Sequence, residues 1–154
     1  MISGDGVAKL ESDLRFGLWL KGKLPLMEIL MDSLKSTSPE VGALSFFLGI
    51  VKGVNRSRTV RNLKLEAYEE IILKVFEEIA SNIKKEYSVS EIRIHHVIGE
   101  LNPGDLIMLI LVSGESRHNV LNALKETVER VKRNSPLWKK EILVSGDSYW
   151  IEYH

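Results

Sequence analysis

The chain contains no cysteine among its 154 residues. Disulfide bonds, thiolate zinc sites and cysteine nucleophiles within the chain are therefore excluded. Any sulfur chemistry must use sulfur that a partner brings. The histidines also predict no metal site, because His95 and His96 are adjacent on a predicted strand and so point to opposite faces of it. We expect no bound metal or cofactor.

The chain also lacks an excess of charge of either sign and a long hydrophobic run. Its formal net charge is zero, so no overall field attracts nucleic acid or an anionic membrane. No apolar run approaches the length of a membrane span, and the first residues lack the apolar core of a signal peptide. We expect a cytoplasmic protein with no nucleic acid or membrane partner, in which any anion site comes from local clustering of cations.

Hydrophobic spacing predicts an α+β fold with a mostly antiparallel sheet covered on one face by two long helices. Pro25 begins a first helix, which ends before Pro39. From Gly42 onward the predicted order is ββαββαββ. The predicted strands are 42–52, 62–68, 92–101, 106–112, 138–144 and 149–153, and the long helices are 69–87 and 116–134.

Two stretches have no regular period. Residues 1–23 are predicted to form an extended or loosely structured arm, and Val54 to Arg61 a basic loop. We divide the chain into an N-terminal arm and helix, residues 1–40, and a domain at residues 41–154, within one compact unit overall.

In the segment from Lys132 to Glu141, four cations fall within nine positions. A helix end and a returning strand are predicted to bring Lys132 and Lys139 together around Pro136. Two amines at such a corner suit an anionic substrate, or a lysine whose neighbour lowers its pKa. The alternative is a helix C-terminus whose cations interact with the helix dipole.

Two further segments offer anion sites. At the start of the last helix, free N–H groups and Arg117 suit a phosphate. The alternative is that Ser116 or Ser113 is an N-cap and Arg117 is solvated. Arg117 and Lys132 lie at opposite ends of that helix, roughly 22 Å apart by its rise per residue. A symmetric dimer would bring one subunit's helix start to the other's helix end. The second segment is Lys52 with the loop after it. This segment either clamps an anion or is a solvated loop.

Five ordered segments between Gly42 and Tyr153 resemble the large, catalytic subunit family of molybdopterin synthase. They are GALSFFLGIVKGVN (Gly42–Asn55), LEAY (Leu65–Tyr68), IHHVIGELNPGD (Ile94–Asp105), Ser116-Arg117, and KRNSPLWKKE (Lys132–Glu141). The last segment is close to the family's Pro-x-Trp-Lys-Lys/Arg-Glu signature. The resemblance implies an α/β hammerhead fold and a sulfurtransferase that acts in molybdenum cofactor biosynthesis.

The resemblance also implies partners. The family forms a homodimer within a heterotetramer, and each large subunit binds a small ubiquitin-like sulfur carrier. The carrier's C-terminal Gly-Gly thiocarboxylate enters the pocket, and two sulfur transfers convert cyclic pyranopterin monophosphate into the molybdopterin dithiolene. A chain without cysteine is consistent with sulfur that arrives on the carrier.

Residue roles carry over by position. Lys132 matches the lysine beside the carrier's C-terminus, and Lys139 matches the second active-site lysine. Arg117 matches an arginine that contacts substrate from the other subunit. Lys140 and Glu141 complete the same strand, and we include them among the substrate-binding residues.

The chain departs from the family pattern at three positions. Lys52 and Val97 replace arginines, and Ser116 replaces a histidine. Lys52 and Ser116 remain in the predicted substrate site. The departures leave an alternative open: a catalytically impaired homologue that docks a ubiquitin-like sulfur carrier as a dimer.

Overall fold

The computed structural model describes residues 12–151. Their elements are β1 (Phe16–Leu20), α1 (Leu26–Lys35), β2 (Ala43–Ile50), β3 (Val54–Asn55), β4 (Arg58–Ala67), α2 (Glu69–Tyr87), β5 (Glu91–Leu101), β6 (Leu106–Gly114), α3 (Arg117–Asn134), β7 (Leu137–Leu143) and β8 (Ser148–Ile151). The predicted α+β class is confirmed. The predictions for residues 1–11 and for the end of the last strand, at 152 and 153, lie outside the described residues.

The strands form one sheet in the order β2-β6-β5-β4-β7-β8, with β3 paired to β4. These pairs are antiparallel, whereas β1 runs parallel to β5. The two long helices pack on the sheet, α2 against β5 and β1, and α3 against β6 and β2. Buried residues such as Phe76, Ile94, Ile110, Val120 and Val131 form the core between them.

The predicted basic loop from Val54 to Arg61 is wrong, because this segment forms the β3–β4 hairpin. Asn55 pairs with Arg58 across a two-residue turn. Both turn residues have positive φ, 49° at Arg56 and 66° at Ser57. Such turns normally carry asparagine, aspartate or glycine. The sequence therefore has no hairpin signal at the point where the chain turns.

Part of the predicted N-terminal arm is a strand of the sheet, and side chains from β5 hold it there. The Leu14 carbonyl oxygen accepts from Arg93 Nη1 at 3.1 Å and lies 3.1 Å from His95 Nε2. Trp19 Nε1 donates to His95 Nδ1 at 3.1 Å. Arg93 is 2% exposed and also binds Asp32 at 2.7 Å, which attaches α1 to the same strand.

The burial of two imidazoles predicts an acid-sensitive fold. Burial lowers the pKa of His95 to about 4 and that of His96 to about 3. Unfolding returns both pKa values toward 6.5, so the unfolded chain binds more protons below that pH and stability falls as the pH drops. We predict a loss of about 2 kcal/mol per histidine between pH 7 and pH 5, measured by urea unfolding.

The variant His95→Gln should lose part of this pH dependence, whereas His118→Gln, at an exposed position on α3, should retain it. An identical slope in wild type and His95→Gln between pH 5 and pH 7 would contradict the assignment.

Candidate active site

A pocket of about 340 Å³ opens where the end of β2 and the β3–β4 hairpin meet β7 and the end of α3. Its wall includes apolar side chains such as Phe47, Ile107 and Met108. The charged residues that line it are Lys52, Lys132, Lys139 and Glu141. One chain therefore brings together four of the seven predicted site residues.

The charged side chains of β7 lie on two opposite faces of the strand. Lys139 and Glu141 lie opposite Leu65 and Leu63 of β4 and line the pocket. Because side chains alternate along a strand, Lys140 faces away, and its Nζ lies 5.5 Å from the centroid of the Trp150 ring. Lys140 thus lies on the same strand as the site but outside the pocket.

Lys139 is the most perturbed cation of the pocket. Burial, and to a smaller extent the positive charge of Lys132, together lower its pKa to about 8. Lys132 extends from the last turn of α3, with its Nζ 6.0 Å from the centroid of the Phe47 ring. An amine with this pKa exchanges protons near neutral pH and suits acid–base work on an anionic ligand.

Glu141 is a buried carboxylate on the same wall, 5% exposed. Asn55 Nδ2 donates a hydrogen bond to Glu141 Oε2 at 2.8 Å. Asn55 also lines the pocket, although it was not among the predicted site residues. Its only sequence signal was its place at the end of the GALSFFLGIVKGVN segment.

His96 lies beneath the lysines as an uncharged side chain, 2% exposed. Burial is the main cause of its low pKa, and Lys139 and Lys132 lower it further. Its Nδ1 lies 2.8 Å from the Val97 carbonyl oxygen. Since that oxygen can only accept, Nδ1 carries the proton and Nε2 keeps its lone pair.

The remaining predicted residues, Ser116 and Arg117, lie at the far end of α3. Ser116 is the N-cap, and its Oγ accepts from Asn119 N at 3.4 Å. Arg117 is exposed at the first helical position. Within one chain neither residue lines the lysine pocket. The two ends of α3 are therefore far apart in the structure, as the sequence predicted.

Within residues 12–151, no group of three or more histidine, aspartate or glutamate side chains is arranged to hold a metal ion. Over the same range, no helix has the length and hydrophobicity needed to cross a membrane.

The sheet and the two lysines define a pocket whose positive charges suit an anionic ligand. The chain belongs to the MoaE protein family, whose model matches residues 22–134. The molybdopterin synthase catalytic subunit of Pyrococcus abyssi is 34% identical over 116 residues, which are 75% of this chain and 78% of that one. The family predicted from the five segments is thereby confirmed.

Solved structures agree on the fold. Molybdopterin synthase from Staphylococcus aureus superposes with a TM-score of 0.79 at 24% identity, covering 93% of this chain and 100% of that one. A complex of subunits 1 and 2 of molybdopterin-converting factor from Helicobacter pylori gives a TM-score of 0.70 at 22% identity, covering 90% and 91% of the two chains.

The electrostatic coupling between Lys132 and Lys139 can be tested directly by removing one of the two charges. The Lys132→Met variant removes a neighbouring positive charge, so the pKa of Lys139 should rise above its value of about 8. NMR of carbon-13-dimethylated lysines measures the titration. Lys125→Met, on the exposed side of the same helix, is the matched control and should leave the Lys139 titration in place. An unchanged Lys139 titration in Lys132→Met would show that the amines are not coupled.

Proposed function

We propose that this pocket transfers sulfur from the thiocarboxylated C-terminus of a small ubiquitin-like carrier to cyclic pyranopterin monophosphate, making the molybdopterin dithiolene. The observation that carries the proposal is the pair of amines, Lys132 and Lys139, that line one pocket of a chain that has no sulfur nucleophile of its own. The Helicobacter pylori complex of two subunits supports a small-subunit partner. We place the reaction in the cytoplasm.

The charges of the pocket fit both proposed ligands. Lys132, beside the apolar Phe47 wall, polarises the thiocarboxylate of the carrier tail. Lys139 supplies or removes a proton, as its pKa of about 8 allows. Lys52, exposed at the pocket edge, meets the phosphate. Fixed cations aimed at developing negative charge are an effective means of stabilising a transition state.

Ser116 and Arg117 enter the site through a second copy of the chain. Within residues 12–151, β2 has one strand neighbour, β6, and its other edge is open. Two residues on that strand, Phe46 and Ile50, are 46% and 60% exposed. An open apolar edge strand is a template for pairing with another chain. We assign this edge to the homodimer contact of a heterotetramer.

Antiparallel pairing of β2 with the β2 strand of a second subunit explains how Arg117, which is distant within one chain, can reach the pocket. α3 packs on β2 and β6, and it starts beside the Ala43–Gly114 pair and ends beside the pocket. Pairing centred between Phe46 and Phe47 places Ala43 of one copy opposite Ile50 of the other. The span of β2 is roughly 24 Å, close to the roughly 22 Å between Arg117 and Lys132. Arg117 then reaches the pocket of the partner subunit.

Turnover tests the chemistry. Thiocarboxylated carrier, pterin precursor and this protein should together produce the dithiolene. Lys132→Ala and Lys139→Ala should each lower kcat/KM by about a hundredfold or more, because each removes a cation aimed at developing charge. Lys125→Ala is the control and should retain wild-type activity. Full activity of folded Lys132→Ala would refute the mechanism, and carrier binding without turnover by the wild type would favour the docking alternative.

The shared site predicts complementation between two inactive variants. Arg117→Ala and Lys132→Ala, expressed together with different tags, form mixed dimers that contain one intact site. We expect about one quarter of wild-type activity from the random mixture. Activity no higher than that of the separate variants, in a sample with proven mixed dimers, would place Arg117 outside the site.

A further inference from the structure

The Arg58 guanidinium on the β3–β4 hairpin lies over the ring of Tyr149 on β8, with its Cζ 4.6 Å from the ring centroid. A cation is attracted to the face of an aromatic ring, so the ring holds the partly buried arginine in place. The face of the ring offers no lone pair. Within residues 12–151, no carboxylate or other acceptor binds this guanidinium. Its N–H donors are therefore available to a ligand.

Arg58 lies on the face of the hairpin that borders the lysine pocket. Its cross-strand partner is Asn55, and Val60 follows two positions later on the same strand. Both of these residues line the pocket. Directly opposed residues of an antiparallel pair share a face, and so do residues two apart along a strand. The Arg58 side chain therefore projects on the pocket side of the hairpin.

Tyr149 borders the same pocket from β8. It pairs with Glu141 of β7, and Ile151 lies two positions later on β8. Glu141 and Ile151 both line the pocket. The hydrogen bond from Asn55 to Glu141 at 2.8 Å is the neighbouring contact between the hairpin and these strands. The contact between Arg58 and Tyr149 thus lies at the mouth of the pocket, outside the residues that form its wall.

The size of the pocket favours an anionic group at this mouth. Pockets for small molecules are commonly about 300–1,000 Å³, and this pocket, at about 340 Å³, also has to admit the end of a carrier tail under the proposed function. The phosphate is the charged part of the pterin precursor, and a charge is costly to bury. A guanidinium binds a phosphate through two parallel N–H bonds, which an ammonium group cannot do.

We propose that Arg58 is a phosphate-binding residue of this site, and that Tyr149 is the positioning residue that holds it. The guanidinium donates to phosphate oxygens of the pterin precursor at the pocket mouth, beside the exposed Lys52. The identity of the ligand rests on the proposed sulfur transfer. Binding of phosphate to Arg58 is measured without carrier or turnover, so the failure of one proposal is distinguishable from the failure of the other.

Fluorescence titration of the pterin precursor into the carrier-free protein tests the contact. Arg58→Gln should raise Kd about tenfold, because it removes a charged pair of donors. Arg58→Lys should recover only part of this loss, since an ammonium group lacks the fork. The control Arg61→Gln removes the same charge from an exposed position on β4 and should keep Kd within about twofold of wild type.

Two results of this titration would overturn the proposal. One is an unchanged precursor Kd in folded Arg58→Gln. The other is weaker carrier binding by Arg58→Gln with unchanged precursor binding, which would assign the guanidinium to the carrier.

Variants of Tyr149 test the positioning role. Tyr149→Leu removes the ring and should raise the precursor Kd about threefold, whereas Tyr149→Phe keeps the ring and should retain the wild-type value. Nitrogen-15 NMR of the Arg58 Nε–H group reports on the contact itself. Inorganic phosphate should shift this signal in the wild type and in Tyr149→Phe, and should shift it less at the same concentration in Tyr149→Leu. Equal shifts in Tyr149→Leu and the wild type would overturn the positioning role.

Inorganic phosphate also separates this proposal from the proposed function. A wild-type protein that does not bind the precursor, but whose Arg58 signal still shifts with phosphate, would refute the proposed substrate and keep Arg58 as an anion-binding residue. An Arg58 signal that neither the precursor nor phosphate shifts would overturn the role of Arg58.

Discussion

The burial of an amine next to a second amine is the constraint on which the rest of this structure depends. Pairing of β7 with β4 sets Lys139 opposite the buried Leu65, and the end of α3 brings Lys132 to the same pocket. The repulsion and loss of hydration lower the pKa of Lys139 to about 8. Such an arrangement lowers stability and persists because the β4–β7 ladder and the α3 packing fix the backbone on both sides.

The groups around the lysines remain consistent with that constraint. The nearest buried imidazole, His96, stays uncharged, so it adds no further positive charge beneath the amines. The nearest buried carboxylate, Glu141, has an amide partner in Asn55. A chain with zero net charge thus obtains a strongly polar site by sorting charges locally, with Lys140 on the opposite face of the same strand.

Much of this was predictable from sequence, and the failures have physical causes. The α2 and α3 helices and the β5–β6 hairpin follow from hydrophobic spacing and a Pro-Gly turn. The β3–β4 hairpin was not predicted, because its turn has arginine and serine at positive φ. The β1 strand depends on contacts with Arg93 and His95 on a distant strand, which no local pattern reports.

Some residues of the pocket were predicted from the sequence, and others were not. Lys52, Lys132 and Lys139 were identified from local clusters of cations, and Glu141 was added through resemblance to the family. The fold brings all four together. Asn55 was missed as a pocket residue, since its contact with Glu141 joins parts of the chain that are far apart in sequence. Ser116 and Arg117 lie outside the pocket of a single chain, because the length of α3 separates them from it.

The origin of the product's sulfur tests the central claim most directly. Carrier whose C-terminal thiocarboxylate holds sulfur-34 should be supplied with unlabelled precursor and this protein, and the mass of the product dithiolene measured. The account predicts that both dithiolene sulfur atoms carry the label, since the chain has no cysteine to donate sulfur. Dithiolene with unlabelled sulfur, or no dithiolene from a folded and carrier-bound protein, would contradict it.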